Sequence, residues 1–485
     1  MKKSDWKALL RFLGILLMAE GGLMALCLIP ALHFADGTAI PMAASAAFTL
    51  AVGTLLWLRH SRNQQIEDKR MSYILVVTFW LALSLFATLP FLATGSISSF
   101  SAAWFEAVSG VTSCGATVVP HVRLLPASVL LWRSMTQWFG GFGIVLLVLA
   151  LSPRLGINKY ALYTAEASGA DSSSHASVRT VVTVRRTLAV YLVLTLAFIL
   201  LLWISGMHIW DAVNLTFTNI SSGGFSVNSD SIASVTHAQQ YILAGAMFLS
   251  GVNFTLLYLF FTLKWRQIGH KLDQFRFYII LCITSIAFVA TALHWHSGLA
   301  WSDAIRNGTV QTVSALTTTG SVVADYTLWW TPVTFLLLML AICGGMAGST
   351  SGGIKAMRML ILLRNARGIM RNRLHPNAVS PVRLNGKPVS SHIRGNVMVI
   401  FMVFGFSLML GVMGLMLCSV NPTEAIGASV GCLTGYGPGL DASGGFGSYA
   451  HFSAPAQWLC TLLMILGRLE CMTVIVLFLP RFWHK

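Results

Sequence analysis

An all-helical protein that crosses a bilayer many times and encloses one pore is the fold class this sequence predicts, on three observations. Of 485 residues, 55% are hydrophobic and only 10% charged, with a mean hydropathy of +0.72, outside the range of soluble globular chains. Apolar runs of about 20 residues, the length that crosses the hydrocarbon, recur from end to end. Four times, at roughly hundred-residue intervals, a polar stretch with glycine at its tip breaks the apolar sequence: TSCGAT ending near Thr117, SSGGFS near Ser226, TTTGSV near Val322 and TGYGPG near Gly439. Irregular backbone at membrane depth is tolerated only where it is buried in protein or lines a wet cavity, and rings of carbonyls replace a cation's hydration shell. Four such loops can line one cation pore.

The apolar runs lie at 8–32, 39–58, 72–94, 126–151, 183–206, 236–262, 276–297, 327–365, 393–419 and 454–480, about ten spans. The first follows MKKSDWKALLRF, is long, lacks a small-residue cleavage site and is soon followed by another, so it reads as a retained helix. Basic residues cluster at Lys2, Lys3 and Lys7, in RHSRNQQIEDKR, VRTVVTVRR and KWRQIGHKLDQFR, across 355–394 and in RFWHK. All fall on one side of the ten-span arrangement, so both termini are expected to be cytoplasmic. The net charge of +16 is therefore a topology signal, and no nucleic-acid partner is implied. Asp36, Glu106, Asp211, Asp230, Asp303, Asp325, Glu424 and Asp441 fall on the opposite side, with Arg123 and Arg306 as its clear bases. An acidic outer mouth would concentrate cations; ordinary solvated loop acids are the other reading.

Each glycine tip has the same surroundings: a full span, a helical stretch too short to cross, the tip, then another span. The short helices are SAAWFEAVSG, IWDAVNLTFTNI, WSDAIRNGTVQTVSA and NPTEAIGASVGC, three of which begin with an acid followed by alanine, at Asp211, Asp303 and Glu424. An acid in the first turn complements the helix N-terminus, and the partly negative C-terminus then points at the tip, where it favours a cation. Glycine at the tip permits backbone angles that a side chain forbids. Gly115, Gly223, Gly320 and Gly437 are thus the expected central filter positions, with Thr112, Ser113, Ser222, Thr319 and Thr434 beside them as small hydroxyl residues. The expected filter comprises Thr112, Ser113, Cys114 and Gly115; Ser221, Ser222 and Gly223; Thr318, Thr319 and Gly320; and Thr434, Gly435, Tyr436 and Gly437.

Eight cysteines show no CxxC spacing and thirteen histidines form no HExxH or His/Cys cluster, so neither a zinc site, nor a disulfide framework, nor an enzyme is expected. The eighth apolar run is interrupted by GGMAGSTSGG, which cannot sustain a lipid-facing helix and must be buried or face water; small-residue helix packing is the alternative. The trailing Lys355 does not complete a GxxxxGK[ST] phosphate loop. Arg468 lies inside the last run, where an arginine costs at least about 2.5 kcal/mol unless paired or hydrated. It is either a pore residue or half of an ion pair between helices. Glu470 is expected to pair with another segment, and Gly140, Gly141 and Gly143 in WFGGFG to mark a close helix crossing. Asn385-Gly386 fits a two-residue hairpin turn in a basic segment where a cytosolic partner has room to dock.

The repeated unit, with TGYG at 434–437, WRSMTQWFGGFGIVLL at 132–147, GGMAGSTSGGIKAMR at 344–358, RLNGKPVS at 383–390 and LGRLE at 466–470, resembles the Trk/Ktr/HKT superfamily of potassium and sodium transporters, in its bacterial TrkH/TrkG-type branch. The resemblance covers nearly the whole chain. It implies two additional helices and a cytosolic loop over 1–70, and four fused pore repeats over 71–182, 183–275, 276–392 and 393–485. It implies potassium uptake across a bacterial inner membrane, with a potassium ion in the filter and no covalent cofactor. By the same resemblance Gly344, Gly345, Gly348, Ser349, Thr350, Gly352 and Gly353 form a movable intramembrane gate, with Arg468 in the pore below the filter. A homodimer and a ring of TrkA-type cytosolic nucleotide-binding regulatory subunits are implied as partners. Cys114 and the Thr434-Gly435-Tyr436 run depart from the family pattern, while the complete glycine set goes with potassium preference. A proton- or sodium-coupled carrier is the alternative; it needs a titratable acid within the membrane, for which Glu20 and Glu470 are the candidates.

Overall fold

In the computed structural model, described over residues 3–60, 69–151, 176–263, 272–375 and 381–483, helices account for nearly all the regular structure. The basic stretches at 61–68 and 264–271 lie outside the described residues. In chain order the helices are α1 (Lys3–Leu26), α2 (Leu28–His33), α3 (Ala39–Arg59), α4 (Lys69–Ala87), α5 (Leu89–Ala93), α6 (Phe100–Val111), α7 (Ala127–Leu151), α8 (Ala176–Ile204), α9 (Ile209–Ile220), α10 (His237–Ser250), α11 (Phe254–Phe261), α12 (Asp273–Ser297), α13 (Trp301–Leu316), α14 (Thr331–Cys343), α15 (Ala356–Leu374), α16 (Ser391–Leu417), α17 (Pro422–Thr434), α18 (Ala454–Arg468), α19 (Met472–Phe478) and α20 (Pro480–Trp483). The chain is a polytopic membrane protein. Among the described residues, six helical segments are long and apolar enough to cross a bilayer, Asp5–His33, Ala39–Arg59, Tyr73–Ala93, Val184–Ile204, Asp273–Ser297 and Ser391–Leu417.

Two expected straight spans are bent instead. The run 236–262 divides into α10 and α11, which meet at 108°, and 454–480 into α18 and α19, which meet at 111°. Polar groups at the breaks explain both. Asn253 starts α11 by accepting a hydrogen bond from the Leu256 amide, 3.0 Å. Glu470 and Cys471 take positive φ of 57° and 48°, which ends α18. The run 327–365 is cut more deeply, because α14 stops at Cys343 and helix resumes only at Ala356.

The short helices α6, α9, α13 and α17 form an inner ring. Each packs on the helix that follows the preceding tip: α9 on α7, α13 on α10, α17 on α14 and, closing the circle, α6 on α18. The apolar core divides accordingly. One body joins α1, α4, α6, α17 and α18; the other joins α8 to α14. The first helices stand outside the ring, with α1 against α3 and α4.

On the far side of α15, β1 (Arg383–Leu384) and β2 (Lys387–Pro388) pair antiparallel. Asn385 and Gly386 both have positive φ, 51° and 78°, the turn that the Asn-Gly pair favours. Asp273 at the base of α12 pins the hairpin, accepting from the Asn385 amide at 2.9 Å and from Arg364 of α15 at 2.7 Å.

Candidate functional site

The four short helices end alike. The amides of Cys114, Gly223, Thr319 and Tyr436 each reach back five residues, to the carbonyls of Ser109, Thr218, Ser314 and Gly431, at 2.8–2.9 Å. The residue before each, Ser113, Ser222, Thr318 or Gly435, has positive φ. This common ending sets a register in which Gly115, Gly224, Gly320 and Gly437 are equivalent, with φ of 88°, 74°, 80° and 88°. The second expected glycine, Gly223, therefore stands one residue early. Gly224 takes the position, because the turn out of α9 uses Ser222, not Ser221, as its left-handed residue.

These glycines close a circle. A Cβ on Gly115 would fall on the Gly223 carbonyl, on Gly224 on that of Thr319, on Gly320 on that of Tyr436, and on Gly437 on that of Cys114. Each loop thus backs onto the next at a distance that admits only glycine. The expected filter residues are brought together around one axis, joined by Gly224 and by Thr317, the end of α13 equivalent to Thr112, Ser221 and Thr434.

Side chains behind the ring hold it. Gln137 of α7 donates to the Gly223 carbonyl at 2.9 Å and accepts from the Phe225 amide at 3.0 Å. Glu106 and Gln311, each nine residues before its ring glycine, accept from the amides of Val118 and Val323. Glu106 is fully buried with Arg133, whose Nη2 lies 2.7 Å from Oε1; Arg133 also covers the Phe225 ring at 4.1 Å and donates to the Ser226 carbonyl. Gln311 further donates to the Tyr436 hydroxyl at 3.0 Å.

Beneath the ring a cavity of about 100 Å³ is bordered by Thr112, Ser113, Thr434 and Gly435 above and by 348–353, Lys355, Arg468 and Glu470 below. The segment between α14 and α15 crosses here and is hooked to three of the four loops. Thr350 Oγ1 lies 2.7 Å from Ser222 Oγ; the Gly352 amide donates to Thr318 Oγ1 at 2.7 Å, and the Gly353 amide to the Thr434 carbonyl at 2.9 Å. Of the expected gate residues, Gly348, Ser349, Thr350, Gly352 and Gly353 border the cavity. Gly344 and Gly345 form the shoulder: a Cβ on Gly344 would strike the Gly352 carbonyl and one on Gly345 the Ser351 hydroxyl.

Arg468 projects into this cavity from the end of α18. It donates to the carbonyls of Gly140 (2.8 Å), Gly141 (3.2 Å) and Thr350 (3.3 Å), so one guanidinium joins α7 to the crossing segment. Close packing allows it: a Cβ on Gly140 would collide with the Val111 carbonyl, and one on Gly467 with that of Leu433. Glu470 pairs, as expected, with another segment: Arg358 lies on its carboxylate and Lys355 at 4.0 Å.

The outer side corrects an expectation. Above the ring a cavity of about 70 Å³ is bordered by Gly115, Gly224, Gly320, Gly437, Arg133, Asn228 and Tyr449 among others, and by no aspartate or glutamate among the described residues. Five of the eight acids expected there have partners of their own. Glu106 is held by Arg133, Asp325 by the Thr327 amide and hydroxyl, Glu424 by His451 and Asp303 by Arg306. Burial works against ionisation of Asp36, but hydrogen bonds from Thr38 and Ser128 outweigh it and hold its carboxyl below the ordinary value. Neighbouring donors, on helices as well as in loops, hold these carboxylates.

Sequence reasoning missed Gly224, Thr317, Arg133, Gln137, Gln311 and Tyr449. A hydroxyl residue stands three positions before every ring glycine, at Thr112, Ser221, Thr317 and Thr434, and that spacing alone identifies Gly224. The bracing side chains leave a weaker signal: Glu106 and Gln311 share a position nine residues before their ring glycines, but Leu215 and Ala428 stand there in the other two repeats.

Comparison with known proteins bears on the whole chain. Residues 41–485 match the family described as TrkH, cation transport protein. The Trk system potassium uptake protein TrkH of Halomonas elongata is 32% identical over 99% of both chains, and that of Salmonella typhimurium 30% identical over 99% of this chain and all of its own. The crystal structure of the potassium transporter TrkH from Vibrio parahaemolyticus superposes with a TM-score of 0.87 at 29% identity, covering 99% of this chain and all of that one.

Proposed function

The chain belongs to the TrkH family of cation transport proteins, and from that premise we propose that it carries potassium into a bacterial cell across the inner membrane through a filter made by the four glycine tips. The closed circle of Gly115, Gly224, Gly320 and Gly437, each against the next loop's carbonyl, carries the reading. Carbonyls held at fixed spacing replace the hydration shell of a cation, and four converging helix C-termini add negative potential at the same place. The relatives' names supply potassium as the ion.

The segment at 348–353 and Arg468 act as the gate. Their support is position: the segment spans the cavity under the ring and Arg468 lays a positive charge across the path, which repels a cation. A TrkA-type nucleotide-binding ring docks on the cytoplasmic side, at the hairpin that Asp273 and Arg364 tie to α15; α15 leads directly from the gate. The transporter works as a homodimer with both termini cytoplasmic. A coupled carrier has less support, since Glu20 lies in α1, outside the ring, and Glu470 is ion-paired.

The test is potassium-limited growth and uptake in a strain lacking other uptake systems. Gly437→Ser and Gly224→Ser each place a side chain on a neighbouring loop's backbone, so both should abolish selective uptake while the protein still reaches the membrane. Normal growth with either variant would remove the filter assignment.

A further inference from the structure

Eight backbone carbonyls belong to the ring glycines and the residues before them. Among the described residues only two of these accept a side-chain hydrogen bond: Gly223 from Gln137, and Gly437 from the Tyr449 hydroxyl at 2.8 Å. The corresponding carbonyls of Gly115, Gly224 and Gly320 accept none, so the fourth loop differs from the others at this level.

Tyr449 is built for a fixed contact. Only 1% of it is exposed, yet it borders the outer cavity where an arriving ion meets the ring. Its amide donates to the Thr117 carbonyl at 2.8 Å, just beyond the first tip. Its ring is held between Phe105 and Phe452, with centroids 5.4 and 5.1 Å away. The residue is thus anchored to the first loop and reaches across to the fourth, over the seam where Gly437 backs onto Cys114.

We infer that Tyr449 is a positioning residue that sets ion preference, by tying the Gly437 carbonyl from outside the ring. The inference rests on the filter reading above. A carbonyl that accepts a hydroxyl proton has one lone pair engaged and is restrained from closing on a small ion. Both effects weaken the field it offers. Sodium is smaller and holds its water more tightly than potassium, so it depends more on a strong, close field for its entry. Tyr449 therefore disfavours sodium, and freeing the carbonyl should admit it.

The experiment compares potassium and sodium flux at equal concentrations in proteoliposomes holding the full-length protein. Tyr449→Phe keeps the ring packing and removes only the hydroxyl. The sodium-to-potassium flux ratio is expected to rise about five-fold, the scale of one neutral hydrogen bond, with potassium flux retained. Tyr278→Phe is the control, since it removes an equally buried hydroxyl from the Phe248 carbonyl, outside the ring; its ratio should match wild type. An unchanged ratio in Tyr449→Phe, or an equal rise in Tyr278→Phe, overturns the assignment. If Gly437→Ser also leaves selective uptake intact, the filter reading itself has failed; if it abolishes uptake while Tyr449→Phe changes nothing, only the role of Tyr449 is lost.

Discussion

The two faces of the glycine ring are held by different chemistry. Above it, Glu106 and Arg133 form a fully buried ion pair that also ties Thr117, Val118 and Ser226, and buried aromatic side chains such as Phe105 and Tyr449 pack around it. Below it, Arg468 donates to the Thr350 carbonyl, and neutral hydrogen bonds at Thr350, Gly352 and Gly353 attach the crossing segment to the loops. Each of the neutral bonds contributes about 0.5–1.5 kcal/mol, whereas severing a buried ion pair costs about 3–5 kcal/mol. Removing either member of that ion pair strands a buried charge. The lower face can be released one bond at a time, which the proposed gate would need.

The largest expected effect tests the outer face. Arg133→Met leaves the Glu106 carboxylate buried without its partner, and we predict a loss of about 3–5 kcal/mol, seen as failure to accumulate a monodisperse protein in detergent. Restoring an uncharged pair with Glu106→Gln in the same chain should recover much of it. If Arg133→Met accumulates and melts like wild type, the ion pair is not what stiffens the outer face.

A smaller effect is expected below. Arg468→Ala removes the guanidinium that joins Gly140 and Gly141 to Thr350 and, on the proposed gate reading, the charge that would oppose a cation. Charge-assisted hydrogen bonds contribute about 1.5–3 kcal/mol each, so cation flux in the absence of any regulatory partner should rise at least about ten-fold. Flux at the wild-type level would show that the arginine braces the helices and does not restrain the path.

The same contrast explains what was legible in the sequence. Short helices, glycine tips and the break at GGMAGSTSGG are periodic or compositional features, and backbone sterics dictate them locally. Three of the four ring glycines followed from that reasoning. The expectation falls on Gly223 in place of Gly224 because SSGG offers two adjacent glycines; the hydroxyl three residues before each ring glycine separates them in the sequence, and the hydrogen bond from the Gly223 amide to the Thr218 carbonyl fixes the same register in the structure. The expected acidic lining of the mouth failed for a different reason. The partner of Glu106, Arg133, stands 27 residues away on another helix, and charge counting cannot tell a pore-facing carboxylate from a neutralised one. The bends at 250–253 and 469–471 were likewise hidden inside runs that are apolar on average.

The smallest expected effect isolates one hook of the inner face. Thr350 Oγ1 meets Ser222 Oγ and also lies within hydrogen-bond distance of the Ile220 and Ser250 carbonyls, so its single proton is shared among alternatives. Thr350→Val keeps the side-chain volume and removes that proton. The closed arrangement should weaken by about 1 kcal/mol, a roughly five-fold rise in unregulated flux. Ser222→Ala removes the facing hydroxyl alone and should give a smaller rise. If the contact between the two hydroxyls is what latches the segment to the second loop, the double variant will fall short of the sum of the single effects in free energy, because both delete one shared interaction. Strict additivity would mean that the segment is held by its backbone contacts at Gly352 and Gly353, and the hinge would then have to be sought at Thr318 and Thr434.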